Sequence, residues 1–421
     1  MPQAADARGA IDAVWRIESP RLIAALTRIV GDVGLAEELA QDALVVALET
    51  WPSAGVPEKP GAWLMSTAKH RAIDAVRRRQ RLQEKQALLG QQLRIEQALG
   101  VPELEAIVDE TPIPDDLLRL VFIACHPLLS MDARVALTLR LLGGLTTDEI
   151  AHAFLVPEPT IAQRIVRAKR TLTEAHVPFE VPQAAQLSER LAAVLEVIYL
   201  VFNEGYSASA GDDWTRPALC EDAMRLGRVL AGLMPGESEV HGLVALMELQ
   251  ASRLRARVGP TGKPVLLLDQ NRALWNQLLI HRGLAGLARA EQAGASLGPY
   301  ALQAAIAACH ARARTADATN WAQIAALYDA LAQLTPSPVV ELNRAMAVAM
   351  AYGPAAGLEV VDALGDAPSL RSYYLLPNVR GDLLVRLGRT AEARAEFERA
   401  AELAPSERQR QVLLSRVASC R

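Results

Sequence analysis

Apolar residues recur every three or four positions through most of the chain, with polar residues between them. In 35–44, Leu35, Leu39 and Ala43 share one face of a helix, while Glu37, Glu38, Gln41 and Asp42 form an acidic outer face. In 61–81, Leu64, Ala68, Ala72, Ala75 and Val76 line one side, and Lys69, Arg77, Arg78 and Arg81 project from others. In 146–172, Ile150, Ala151 and Phe154, then Ile161, Ile165 and Leu172, mark two short amphipathic helices on either side of Val156-Pro157. This spacing is that of a helix with 3.6 residues per turn. Long alternating runs rich in Val, Ile and Thr are absent, and Ala and Leu dominate. Ala and Leu lose little on entering a helix, so the chain is expected to be all-α.

Breaks in the pattern divide the chain. Trp51–Gly55 and Pro57–Pro60 interrupt a first helical segment, 10–82. Residues 83–112 are polar and Gln-rich and end in Gly100-Val101-Pro102 and Thr111–Pro114, which reads as a linker, helical in its first half. Residues 113–178 form a second compact helical unit, and Pro178 and Pro182 bracket a short connection. A long helical stretch, 185–421, completes the chain. There, Gly381, Gly388, Ala393, Phe397, Ala400 and Pro405 fall at the small, aromatic and proline positions of a tetratricopeptide helix pair. Asn343 and Gly353 echo Asn378 and Gly388 at the same spacing. The expectation is two small helical domains and a linker, then a helical repeat-like domain; an irregular bundle is the other reading of 185–421.

Charge and cysteine usage narrow the chemistry. A net charge of −4 over 421 residues conceals basic clusters at Arg77–Arg81 and Arg164–Arg170. Locally basic and globally mild, the chain suits a nucleic-acid binder that also has protein partners. The four cysteines, at 125, 220, 309 and 420, are far apart and form no CxxC, which supports neither a disulfide framework nor a zinc site. No uncharged apolar run approaches membrane-spanning length, so a cytoplasmic protein is expected. No HExxH, GxSxG or GxGxxG occurs, and Gly259–Pro264 lacks the spacing and Ser/Thr of a phosphate loop. No enzyme, cofactor or metal site is expected.

The segment 146–172 carries the sharpest signal. Thr146 or Thr147 can cap a first helix, with Asp148 and Glu149 in its first turn. Pro159 suits the first turn of a second helix. The side of that helix away from Ile161, Ile165 and Leu172 offers Thr160, Gln163, Arg164, Arg167 and Lys169. This is a helix-turn-helix with a major-groove recognition helix, where Arg can read guanine and Gln adenine. A structural hairpin with solvated cations is the plainer reading. An acidic helix close to a basic one does not help simple DNA binding, but it suits a DNA binder that docks on another protein.

The run from Gly31 to Trp51, the Pro-rich loop and Trp63-Leu64 resemble the second conserved region of extracytoplasmic-function RNA polymerase sigma factors. Residues 130–137 with the helix-turn-helix resemble their fourth region, and the order and spacing of the two also match. The resemblance implies a sigma factor that binds core RNA polymerase and directs promoter-specific transcription initiation. It implies that Glu37, Glu38, Gln41 and Asp42 meet the clamp helices of the largest polymerase subunit. Lys69, Arg71, Arg77 and Arg78 would meet the minus-ten promoter element, and the recognition helix the minus-thirty-five element. Trp63 is expected to be core rather than a base-stacking surface. Tyr199–Arg225 and the length of the extension resemble a subgroup with tetratricopeptide-like C-terminal domains, which implies control in cis by the extension and a regulatory protein or ligand acting there. Glu221 and Arg225 read as an ordinary i,i+4 pair, and Asp269–Asn276 as a helix start. A stand-alone helix-turn-helix regulator with a repeat-type sensor is the alternative.

Overall fold

The computed structural model describes residues 2–89, 114–154, 156–207, 215–259, 264–294, 296–364, 370–371, 373–404 and 407–420. Among them are 18 α-helices and no strand, in agreement with the all-α expectation. The chain forms two compact units, Met1–Leu233 and Met234–Arg421. The stretch 185–421 is therefore divided between them.

The first unit opens with α1 (Pro2–Val30), α2 (Val33–Ala54) and α3 (Pro60–Leu89). Ala36, Ala40, Ala43 and Ala47 are wholly buried along α2, so α1 and α3 can approach it closely. Leu22, Ile23 and Leu26 of α1 and Leu64, Ala68 and Ala72 of α3 complete this core. Asp32 caps α2 by accepting the Leu35 N–H at 2.8 Å. The expected break at Trp51–Gly55 comes at its last residue. Pro52 sits inside α2, and the helix stops at Gly55, whose φ of 86° favours a residue without Cβ. Trp63 is half-buried, with its ring edge on the buried Trp51 at a centroid distance of 5.3 Å. The expected linker is helical as far as Leu89; its remainder lies outside the described residues.

Next come α4 (Pro114–Ala124), α5 (Met131–Leu141), α6 (Thr147–Phe154) and α7 (Glu158–Glu174). Thr146 is the cap of α6: its Oγ1 accepts the Glu149 N–H at 3.1 Å, and Glu149 Oε2 accepts the Thr146 N–H at 2.8 Å. This reciprocal pair satisfies two helix-end donors. Ile161, Ile165 and Leu172 bury one side of α7, as its spacing predicts. Then α8 (Ala184–Tyr206) and α9 (Pro217–Leu233) pair with each other and pack on α4, while α8 also packs on α5.

The second unit begins with α10 (Ser238–Ala251), buried on nearly every side beneath α11 (Gln277–Ala293) and α12 (Pro299–Arg312). Asn276 caps α11 through the Leu279 N–H, so Asp269–Asn276 does end in a helix start. From there α13 (Trp321–Leu334), α14 (Pro338–Tyr352), α15 (Pro354–Ala363), α16 (Leu375–Arg386), α17 (Thr390–Glu402) and α18 (Glu407–Ser419) each pack chiefly on the next. A Cβ on Gly381 would lie 2.6 Å from the Phe397 ring, so α16 and α17 meet with the glycine backbone against the aromatic face. Pro405 lies outside the described residues.

Candidate nucleic-acid interface

The acidic face of α2 is narrower than its periodicity suggests. Glu38 and Asp42 are exposed and Gln41 is half-buried. Glu37, expected with them on the outside, is only 3% exposed. Its Oε1 accepts Arg140 Nε of α5 at 2.7 Å, and its Oε2 accepts Lys169 Nζ of α7. Gln41 Nε2 also donates to Glu37. The correction has a geometric cause: the helix-turn-helix lies against this flank of α2, at a boundary position that a helical wheel leaves undecided.

On α3, Arg78 is exposed and Lys69 and Arg77 are half-buried. Arg71 pairs with Asp42 of the acidic face at 2.9 Å, so the basic and acidic helices touch through these two residues. On α7, Gln163 and Arg167 are exposed and Thr160 is half-buried. Arg164 pairs with Asp132 of α5 at 3.0 Å. Lys169 turns toward Glu37 rather than outward, a second correction to the expected solvent-facing side. The presented edge of α7 in this state is therefore Gln163 and Arg167, flanked by Thr160 and Arg164.

The contact of α2 with α5 and α7 belongs to a longer seam. Thr173 of α7 donates to Asp32 at 2.7 Å, Arg16 of α1 pairs with Glu149 at 2.5 Å, and Arg28 pairs with Asp116 of α4 at 3.2 Å. Burial lowers the proton affinity of Lys169, opposed by the Asp32 carboxylate, and burial likewise lowers that of Arg140, opposed by Glu149. Burial pushes the Glu149 carboxyl upward, but the Thr146 N–H and the Arg16 guanidinium outweigh it and hold it below its ordinary value.

Three arginines of α8, α9 and their connection grip the backbone of α4, of α6 and of the turn after α5. Arg190 donates to Phe122 O at 2.8 Å, and Arg216 donates to Ala153 O while pairing with Glu204 at 2.5 Å. Arg225 donates to Gly143 O at 2.8 Å and Leu142 O at 3.3 Å. Its acidic neighbour is Asp222, at 3.5 Å, not the expected Glu221. Leu142 and Gly143 come just after the end of α5, where carbonyls lack helical donors, so a guanidinium fork satisfies what the helix cannot. Of these arginines, sequence reasoning singles out only Arg225, and with the wrong partner. Backbone carbonyls carry no residue-type signal, which is why the grip is invisible in the sequence. Of the seam residues that it misses, Asp32 has a signal: it sits where a cap for α2 belongs.

Among the described residues no group of His, Cys, Asp and Glu is arranged to hold a metal ion, and no helix is long and apolar enough to cross a membrane. The four cysteines are free and buried. Burial pushes the Cys125 thiol up to about 11, against a hydrogen bond shared with Thr138 that lowers it.

Residues 15–82 match the model of sigma-70 region 2, and 119–172 that of sigma-70 region 4. Residues 190–291 match a family of unknown function, DUF6596, which does not confirm a tetratricopeptide-like extension. An uncharacterized protein of Rhizobium meliloti (strain 1021), R00370, is 45% identical over 396 residues, which are 94% of this chain and 92% of that one. The ECF RNA polymerase sigma factor SigK of Mycobacterium sp. (strain KMS) is 29% identical over 150 residues, 34% of this chain and 72% of the relative. SigK of Mycobacterium ulcerans (strain Agy99) is 29% identical over 156 residues, 36% of this chain and 78% of the relative. No solved structure matches. The region 2 match disfavours a stand-alone helix-turn-helix regulator. The chain thus carries both sigma-70 regions in order, which supports an extracytoplasmic-function RNA polymerase sigma factor, with an extension that includes a family of unknown function.

Proposed function

We propose that this sigma factor recruits core RNA polymerase through the acidic flank of α2 and reads promoters through α3 and α7, under control in cis by its extension. Glu38, Gln41 and Asp42 meet the clamp helices of the largest polymerase subunit. Lys69, Arg71, Arg77 and Arg78 hold the minus-ten element. Thr160, Gln163, Arg164 and Arg167 face the minus-thirty-five element. The observation that carries this reading is the co-occurrence, in one chain, of exposed Glu38 and Asp42 on α2 with exposed Gln163 and Arg167 on a capped recognition helix. Cis control is supported by Arg190, Arg216 and Arg225, which tie the start of the extension to the backbone of the second helical unit, 113–178. The successive helix pairs of α13–α18, read as a tetratricopeptide-like array, are suited to holding a regulatory protein or ligand. The place of action is the cytoplasm.

The experiment is a charge reversal, Glu38→Lys with Asp42→Lys, measured by pull-down with core polymerase. Like charges set across an interface cost several kcal/mol, while exposed pairs such as Asp42–Arg71 add about 0–1 kcal/mol to the fold. The variant is expected to keep its melting temperature within a few degrees and to lose polymerase. Parental affinity in the reversed protein would remove this face from the mechanism.

A further inference from the structure

We infer that the first unit binds a small monocarboxylate with an apolar tail, in a cavity walled by α1, α4, α5, α8 and α9.

The cavity has a volume of about 260 Å³. Val121 of α4, Leu142 after α5, Val194 and Ile198 of α8, and Leu226 and Leu230 of α9 form much of its wall. Cores pack as densely as organic crystals and hold few voids larger than a water molecule, so a space of this size costs stability that a fitted guest offsets. Among the described residues that line it, only Arg21, Cys125, Thr138 and Arg225 carry polar side chains. Cys125 Sγ and Thr138 Oγ1 are hydrogen-bonded to each other at 3.4 Å, and Arg225 donates to the carbonyls of Leu142 and Gly143. Water needs several polar partners and finds few here, so the body of the guest is apolar. A cavity of about 150 Å³ lined by aliphatic side chains takes up benzene, so this one holds roughly ten non-hydrogen atoms.

The charge of the guest follows from the mouth. Ile17 and Val229 line the cavity and are 62% and 36% exposed, which marks where it meets solvent. Arg21 lies one turn beyond Ile17 on the same side of α1 and is exposed as well. No acidic residue is among the described lining residues. An exposed guanidinium above an apolar chamber suits a carboxylate whose tail points inward, because Arg holds carboxylates through a planar fork. A cationic guest would face Arg21 and Arg225 with no lining acid to offset them.

The position of the site ties it to regulation. Ile17 and Arg21 fall within the sigma-70 region 2 match, Val121 and Leu142 within region 4, and Val194 and Leu226 within the family of unknown function. None of the described lining residues is among the proposed polymerase or promoter contacts. One bound molecule thus touches both sigma regions and the extension, and favours whichever arrangement of the three it fits. This consequence rests on control in cis; binding itself does not.

The test uses the full chain and octanoate, which matches that size, measured by calorimetry beside octanol, which has the tail without the charge. Octanoate is expected to bind at a single site with a dissociation constant below about 1 mM, and octanol at least about tenfold more weakly. Arg21→Gln, at an exposed position, should weaken octanoate by about tenfold and leave octanol unchanged. Val194→Phe, which fills the chamber, should abolish binding of both, with its folding checked by circular dichroism; if it does not fold, Arg21→Gln carries the test. No binding of octanoate at about 10 mM, or binding that a folded Val194→Phe leaves untouched, overturns the site. Equal affinity for octanoate and octanol, or octanoate binding unchanged in Arg21→Gln, overturns the carboxylate assignment. Octanoate binding with no effect on promoter-dependent transcription would remove control in cis through this site and leave the site standing.

Discussion

Removing the Arg225 guanidinium should loosen the helix-turn-helix without touching its DNA-facing residues. In Arg225→Ala, Gly143 O and Leu142 O lose donors now at 2.8 and 3.3 Å. Both residues are buried, so water replaces the guanidinium poorly. A hydrogen bond from a charged group contributes about 1.5–3 kcal/mol. Arg225 is 32% exposed and its second bond is long, so the lower part of that range applies, about 1.5–2 kcal/mol. Since about 1.4 kcal/mol is a factor of ten in an equilibrium constant, amides of α5 and the turn after it should exchange roughly 10- to 30-fold faster. Hydrogen exchange read by mass spectrometry over 131–145 is the assay. Arg225→Lys should fall between, because one ammonium cannot reproduce a planar fork on two carbonyls. Promoter-dependent transcription should fall along with protection if the extension holds the recognition unit in place. Unchanged exchange in Arg225→Ala would refute the argument that this arginine joins the extension to the turn after α5.

Arg167→Ala, at an exposed position of α7, should relax specificity at one or two upstream promoter positions at a cost of about 1–3 kcal/mol; uniform weakening across promoter variants would make it a phosphate contact instead. Arg78→Ala should weaken binding to all promoters and flatten the salt dependence, as measured by titrating binding against ionic strength. In the second unit, burial, then Arg253 and Arg272, lower His310 from 6.5 to about 4. The unfolded chain gains that proton as pH falls through about 6.5 and the folded chain does not until about 4, so this contribution is intact above pH 6.5 and lost progressively between the two, by at most about 3 kcal/mol. Urea midpoints at pH 7 and 5 should differ more for the parent than for His310→Gln.

Local signals in the sequence survive into the structure where the determining contacts are local. The cap at Thr146, the turn at Val156-Pro157, the start of α11 at Asn276 and the approach of Gly381 to Phe397 each depend on residues within about twenty positions of one another. Periodicity misplaces Glu37 because its environment is set by residues 140 and 169. Along α2 it lies between the buried Ala36 and the exposed Glu38, where periodicity does not choose a side. Spacing misassigns Arg225 because an i,i+4 acid is easy to see and a carbonyl 82 positions away is not. The even look of 185–421 hides a change of allegiance: α8 and α9 are as helical as α10–α18, yet they pack on α4.

The spacing of contacts along the chain also bears on how the protein is made. In the tail of the second unit, each helix from α13 to α17 meets its successor, so each pair can assemble as soon as it leaves the ribosome. The first unit has no such schedule. Arg16 must wait for Glu149, 133 positions later, and Gly143 at the end of α5 waits 82 positions for Arg225. Until α9 emerges, a nascent chain shows the turn after α5 without the arginine that later holds it, and any ribosome pause before residue 225 prolongs that exposure.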